Sequence, residues 1–261
     1  MASRTERMNV LSRLETRGIP SLRALFRSSI IKYLTLLAGV ASLGSVFGMA
    51  SDSMYGVSNQ INLIAYWHIG LATAAAVALT VTFLGCALYL ATETPFWEFL
   101  AHSSGEVGFL MVTLTLVTGS VWGKVIWNSW WEWTDIRLVT FLVIWFIYAG
   151  YLLIYSAGGD SASLKRITSV YGIVGFVTVP LSYLSTRLWT PTFHRPTTGN
   201  PDTDATITVP ALLLSIAALL LIYLYFVGSR VQLRELKRRV NYARRDRTLD
   251  DHAMGPGQGG E

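Results

Sequence analysis

A chain of 261 residues that is 52% hydrophobic and only 14% charged does not have the composition of a soluble globular domain, where about a quarter of residues carry charge. The single cysteine, Cys86, excludes an internal disulfide and any C-x-x-C redox pair. The formal charge of +5 does not point to nucleic acid, because the basic residues crowd the two ends of the apolar region, where Lys and Arg report membrane orientation.

In chain order, residues 1–29 form a basic tail rather than a signal peptide. Its charged region is too long and the apolar run after it exceeds an h-region. Leu11, Leu14, Leu22 and Leu25 give this tail the spacing of an amphipathic surface helix. Six apolar runs follow, at 30–49, 63–91, 105–122, 137–157, 167–187 and 207–228. A helix needs roughly 20 residues to cross about 30 Å of hydrocarbon, and backbone groups in lipid must be satisfied within the segment. The predicted fold class is therefore an all-α membrane protein with six transmembrane helices. The stretch SRVQLRELKRRV continues the last helix into a second basic tail, 229–261, whose Gly-rich end (255–261) reads as disordered. The expected organisation is one membrane domain, 30–228, between two tails.

Orientation follows from the basic residues. Both tails together with the even-numbered connections hold 17 Lys/Arg, and the other side holds four: Lys124, Arg137, Arg187 and Arg195. The positive-inside rule puts both termini in the cytoplasm. The connection between spans 3 and 4, His68 and His194 then share the outer face. His102 falls on the cytoplasmic side and His252 in the tail, and both are expected to be solvated. Glu106, near the cytoplasmic interface, is expected to be hydrated.

That connection, within 121–137, reads VWGKVIWNSWWEWTDIR and places five of the nine tryptophans in twelve positions: Trp122, Trp127, Trp130, Trp131 and Trp133. An aromatic belt puts one or two tryptophans at a helix end, so five exceed it. If the segment is helical, Trp127, Trp130 and Trp131 share one side by the i, i+3, i+4 rule. They would make an indole platform suited to a large planar apolar ligand. His68, in NLIAYWHIGLA, and His194, in RLWTPTFHRPT, flank this platform in the predicted topology. Two imidazoles so placed have the chemistry to ligate the iron of a planar macrocycle from opposite sides. Asp135 complements the start of the fourth span, while Arg137, Arg187 or Arg195 has the fork geometry for ligand carboxylates.

WGKVIWNSWWEWTDIRL resembles the tryptophan-rich WWD signature of haem-handling proteins in cytochrome c maturation. LVTGSVWG (116–123) leads into it, and RLVTFLVIWFIYAGYLLI follows, as in that superfamily. YGIVGFVTVPLSYLSTRLW resembles its fifth span, and the similarity covers most of residues 60–200. The six-span length, with one histidine before the loop and one after, is similar to the haem exporter C family. Three positions depart from the pattern: Thr134 separates Trp133 from Asp135, Asn128 stands where glycine is common, and Val125 where proline is common.

The resemblance implies haem b, bound non-covalently as cargo on the outer face of the cytoplasmic membrane. His68 and His194 would be its axial ligands, and Trp122, Gly123, Trp127, Trp130, Trp131, Trp133, Asp135 and Arg137 would contact it. Haem would pass to a periplasmic haem chaperone, with ABC transporter subunits and a small single-span membrane subunit as partners and no nucleic acid. No acid–base or nucleophilic constellation is visible, so a haem lyase-like transfer is the most that enzyme vocabulary covers. Two other readings stay open: a haem or amphiphile transport subunit of an ABC-linked complex, and a structural membrane subunit with a tryptophan belt. The chain has no G-x-x-x-x-G-K-[ST] motif, so energy for transport would come from a partner.

Overall fold

A computed structural model describes residues 18–54, 57–58, 60–158, 161–189 and 207–253, with the side chains of 53–54, 57–58, 186–187 and 245–253 left out. The helices are α1 (Ile19–Arg27), α2 (Ser29–Met49), α3 (Ile64–Thr92), α4 (Pro95–Trp127), α5 (Ile136–Gly158), α6 (Ala162–Gly175), α7 (Thr178–Leu188) and α8 (Val209–Ala253). Among the described residues, six stretches are long and apolar enough to cross a membrane, the fifth combining α6 with most of α7. A two-residue antiparallel pairing, Ser53–Met54 with Val57–Ser58, and a 3₁₀ turn, Gln60–Leu63, fill the connection from α2 to α3.

Apolar side chains lie outside as well as inside, as expected where the solvent is hydrocarbon. Along α2, Ile30, Tyr33, Leu36, Leu37, Val40 and Phe47 are all exposed, while Ser42 and Ser45 face inward. Polar groups bond across helices instead. The Ser42 hydroxyl lies 3.1 Å from that of Ser215, which donates to Ala211 O, and Trp67 Nε1 donates to Ser42 Oγ at 3.0 Å. α2, α3 and α8 meet there.

The α3–α4 hairpin forms the centre. Glu93 ends α3 in the left-handed region (φ 55°), and Pro95 opens α4 at a position where its missing N–H costs nothing. The two helices approach so closely at Gly85 that a Cβ there would meet the Ala101 backbone at 3.0 Å. Tyr148, Tyr151, Phe96 and Leu79 lie fully buried in the core cluster that also holds Ala101.

Two boundaries differ from expectation. α4 begins ten residues before its apolar run, because Phe96, Trp97, Leu100 and Ala101 are buried there, in the cluster that also takes in Ile19 of α1 and Val227 and Val231 of α8. The fifth span is broken at Phe176–Val177. Pro180 has no N–H for the Phe176 carbonyl four residues back, and its ring crowds that carbonyl. α8 runs for 45 residues, about 68 Å of helix. That is more than twice the hydrocarbon thickness, so the expected continuation into the basic tail is present. The α1 segment carries the expected Leu22 and Leu25 and packs on α8 through Arg23–Glu235 at 2.6 Å and Gln232 Nε2 to Phe26 O at 2.6 Å. Leu11 and Leu14, and the tail beyond Ala253, lie outside the described residues.

Candidate functional site

Helix connectivity brings the start of α3, the end of α4, the start of α5 and the end of α7 to one end of the bundle. His68 lies on the first turns of α3, half-buried, with its Nδ1 3.0 Å from Thr118 Oγ1 of α4. One turn further along α4, the Trp122 ring is tilted against the imidazole with centroids 5.9 Å apart. Between them Gly119 leaves room for the ring, since a Cβ there would come within 2.9 Å of His68 Cε1. Trp122 is itself fixed: it is buried and its Nε1 donates to Asn62 Oδ1 at 3.3 Å, while Asn62 Nδ2 donates to Asp52 O at 2.8 Å.

The ring series continues from Trp122 to Trp127, centroids 6.5 Å apart, and there α4 ends. Asn128 takes the left-handed conformation (φ 57°), which Gly and Asn adopt most readily at a helix C-terminus. Lys124 Nζ donates to the Asn128 carbonyl and side-chain oxygens at 3.1 and 2.9 Å, a cation on the negative end of the helix. Residues 128–135 are therefore not helical, and the single face joining Trp127, Trp130 and Trp131 does not form. A non-helical turn instead stands Trp131 edge-on to Trp133, centroids 5.8 Å apart. Trp130 and Trp133 are 60% and 72% exposed. The Trp131 indole N–H is buried without a hydrogen-bond partner among the described residues.

Asp135 closes the loop. Its side chain is buried and Oδ1 accepts from the Arg137 and Leu138 N–H groups at 3.0 and 3.2 Å, the geometry of a helix N-cap. The extra Thr134 is exposed and leaves this cap intact. Arg137 places its guanidinium over the Tyr183 ring of α7, 5.8 Å from the centroid. His194 and Arg195 lie outside the described residues, as does the side chain of Arg187. Thr118, Gly119 and Asn62 are the residues at this end to which sequence reasoning assigned no role. Thr118 and Gly119 sit four and three residues before Trp122, one helical turn, which was the available signal.

The opposite end corrects two expectations. His102 is buried rather than solvated: its ring stacks on Tyr155 at 3.4 Å, and Nε2 lies 3.3 Å from Glu106 Oε1. Glu106 is ion-paired rather than simply hydrated, holding both Arg230 and Arg234 of α8 at 2.9 Å. Beside it, buried Glu98 accepts from Tyr155 Oη at 2.5 Å and Lys165 Nζ at 3.3 Å, at the wall of a cavity of about 450 Å³. Arg166 pairs with Glu93 nearby. These contacts tie α3, α4, α5, α6 and α8 together where the sequence is most polar.

The family model of haem exporter protein C matches residues 18–246, nearly the whole described chain. The chain belongs to the haem exporter protein C family. It is 30% identical over 225 residues to the haem exporter protein C of Haemophilus influenzae, covering 80% of this chain and 85% of that protein. It is 28% identical over 206 residues to that of Rhodobacter capsulatus, covering 77% and 83% respectively. Against a putative cytochrome c biosynthesis ccmC-like mitochondrial protein of Marchantia polymorpha the identity is 28% over 167 residues, or 64% of this chain and 68% of that one. Haem exporter C membership and the six spans make the chain a multi-pass protein of the inner membrane with a role in haem handling for cytochrome c maturation.

Proposed function

We propose that this chain holds haem b at the tryptophan-loop end of its bundle, on the outer face of the membrane, and delivers it to a periplasmic haem chaperone. The family supports haem as cargo and partners within a membrane complex. In our reading these are ABC transporter subunits and a small single-span subunit. The outward direction of the loop is supported by the 17-to-4 distribution of Lys and Arg.

The observation that carries the reading is the packing of His68 against Trp122 and Gly119 beneath a loop that leaves Trp130 and Trp133 bare. Exposed indoles at a loop tip cost solvation, and they fit a surface made to cover an apolar face of a ligand or partner. His68 supplies one axial nitrogen in this reading and His194 the other. Trp122, Gly123 and Trp127 form the wall behind the imidazole, while Trp130, Trp131 and Trp133 lie against the macrocycle. Asp135 holds the loop to α5, and Arg137 receives a propionate. No step needs a nucleophile: transfer is exchange of ligands from an open site.

Delivery is tested by loading the purified protein with haem, mixing it with the chaperone domain and separating the two. Haem moving to the chaperone from wild type, and much more slowly from Trp130→Ala/Trp133→Ala, supports the reading. Haem that stays bound through a large chaperone excess refutes delivery.

A further inference from the structure

We infer that Thr118 is a positioning residue that sets the tautomer of His68, holding the imidazole proton on Nδ1 so that Nε2 bears the lone pair for iron. This rests on the reading of His68 as an axial ligand. The argument is one of hydrogen count. Thr118 Oγ1 lies 2.7 Å from the Leu114 carbonyl one turn back, 3.3 Å from Thr115 O and 3.0 Å from His68 Nδ1. A hydroxyl has one hydrogen and two lone pairs. Neither carbonyl can donate, so the hydroxyl hydrogen goes to the nearer one, Leu114 O, and the oxygen turns a lone pair to the imidazole. His68 Nδ1 is then the donor, and a neutral imidazole carries only one N–H. The reverse assignment would give up the shortest of the three contacts for a longer one.

The surroundings lock the same arrangement. Gly119 lets the imidazole sit against the α4 backbone, where a Cβ would lie 2.9 Å from Cε1, and Trp122 flanks the ring at 5.9 Å. Three residues on about one turn of α4 therefore set the height, the tilt and the protonated nitrogen of His68. Metal-bound histidines generally depend on such a bond at the second nitrogen, and losing it typically costs 10–100-fold in affinity.

The test uses the full-length protein in detergent with ¹⁵N-labelled histidine, without haem, well above the ordinary imidazole pKa. The chain has four histidines, and His68→Ala assigns the signal of interest. Wild type and Thr118→Ser are expected to show the Nδ1–H tautomer. Thr118→Val and Thr118→Ala should lose it, and each should bind haem about 10–100-fold more weakly, while Thr118→Ser stays within about twofold. Two variants lacking the hydroxyl, one isosteric and one smaller, separate loss of the bond from a packing fault. An Nε2–H tautomer in wild type, or an unchanged tautomer in both the Val and Ala variants, overturns the assignment. Haem affinity unchanged in His68→Ala defeats the ligand reading instead, and the tautomer spectra still decide the role of Thr118.

Discussion

Gly119→Ala sets two effects of opposite sign against each other. In a helix interior, alanine gains about 1 kcal/mol over glycine. Here the new methyl would sit 2.9 Å from His68 Cε1, against an ordinary contact of 3.4 Å or more. The ring must retreat by about 0.5 Å. If the retreat runs along the bond to Thr118, the 3.0 Å contact stretches to about 3.5 Å, the edge of a hydrogen bond. Overpacking of this kind costs about 1–3 kcal/mol and the bond about 1 kcal/mol more. The steric effect wins, giving a net destabilisation of about 1–3 kcal/mol, with haem affinity reduced at least about tenfold as the imidazole loses its orientation. Thermal unfolding in detergent and a haem titration followed at the Soret band measure both quantities. Gly39→Ala is the control, because nothing lies within 4 Å of a Cβ there, and it should leave haem binding alone. Wild-type haem affinity in Gly119→Ala would refute the reasoning.

Other expectations concern separate parts of the molecule. Asp135→Ala should cost about 1 kcal/mol of stability through the lost cap of α5, with Asp135→Asn close to wild type in the same melt. Trp130→Ala and Trp133→Ala remove exposed rings, so unfolding should shift little while haem affinity falls; a large stability loss without a binding change would assign them a structural role. Glu106→Gln leaves Arg230 and Arg234 without their carboxylate. The site is partly exposed, so about 2 kcal/mol of stability should be lost, with the haem spectrum unchanged because the cluster lies at the far end of the bundle.

Much of the fold was legible because bilayer thickness imposes one length on every spanning helix. The apolar runs therefore located all six spans. The first ten residues of α4 escaped that reasoning: PFWEFLAHSS is too polar for a span, and only packing in the shared core with α1 and α8 buries it. The burial of His102 and the pairing of Glu106 are hidden from the sequence for the same reason, since their partners Tyr155, Arg230 and Arg234 come from helices distant in sequence. At the candidate site, residue types pointed to His68 and the tryptophans. The shape of the loop was not legible, because helical periodicity assumes that the helix continues, whereas Asn128 and the Lys124 contacts stop it at Trp127. Thr118 and Gly119 carry no chemical signature of their own, and their meaning appears only when α3 is laid against α4.

The central claim, that His68 and His194 hold haem at this end of the bundle, is tested most directly by absorption spectra. The wild-type protein, His68→Ala and His194→Ala would each be purified in detergent from haem-replete cells. The account predicts a Soret band in wild type and its loss or strong attenuation in each variant. A colourless wild type, or an undiminished band in both variants, would contradict it.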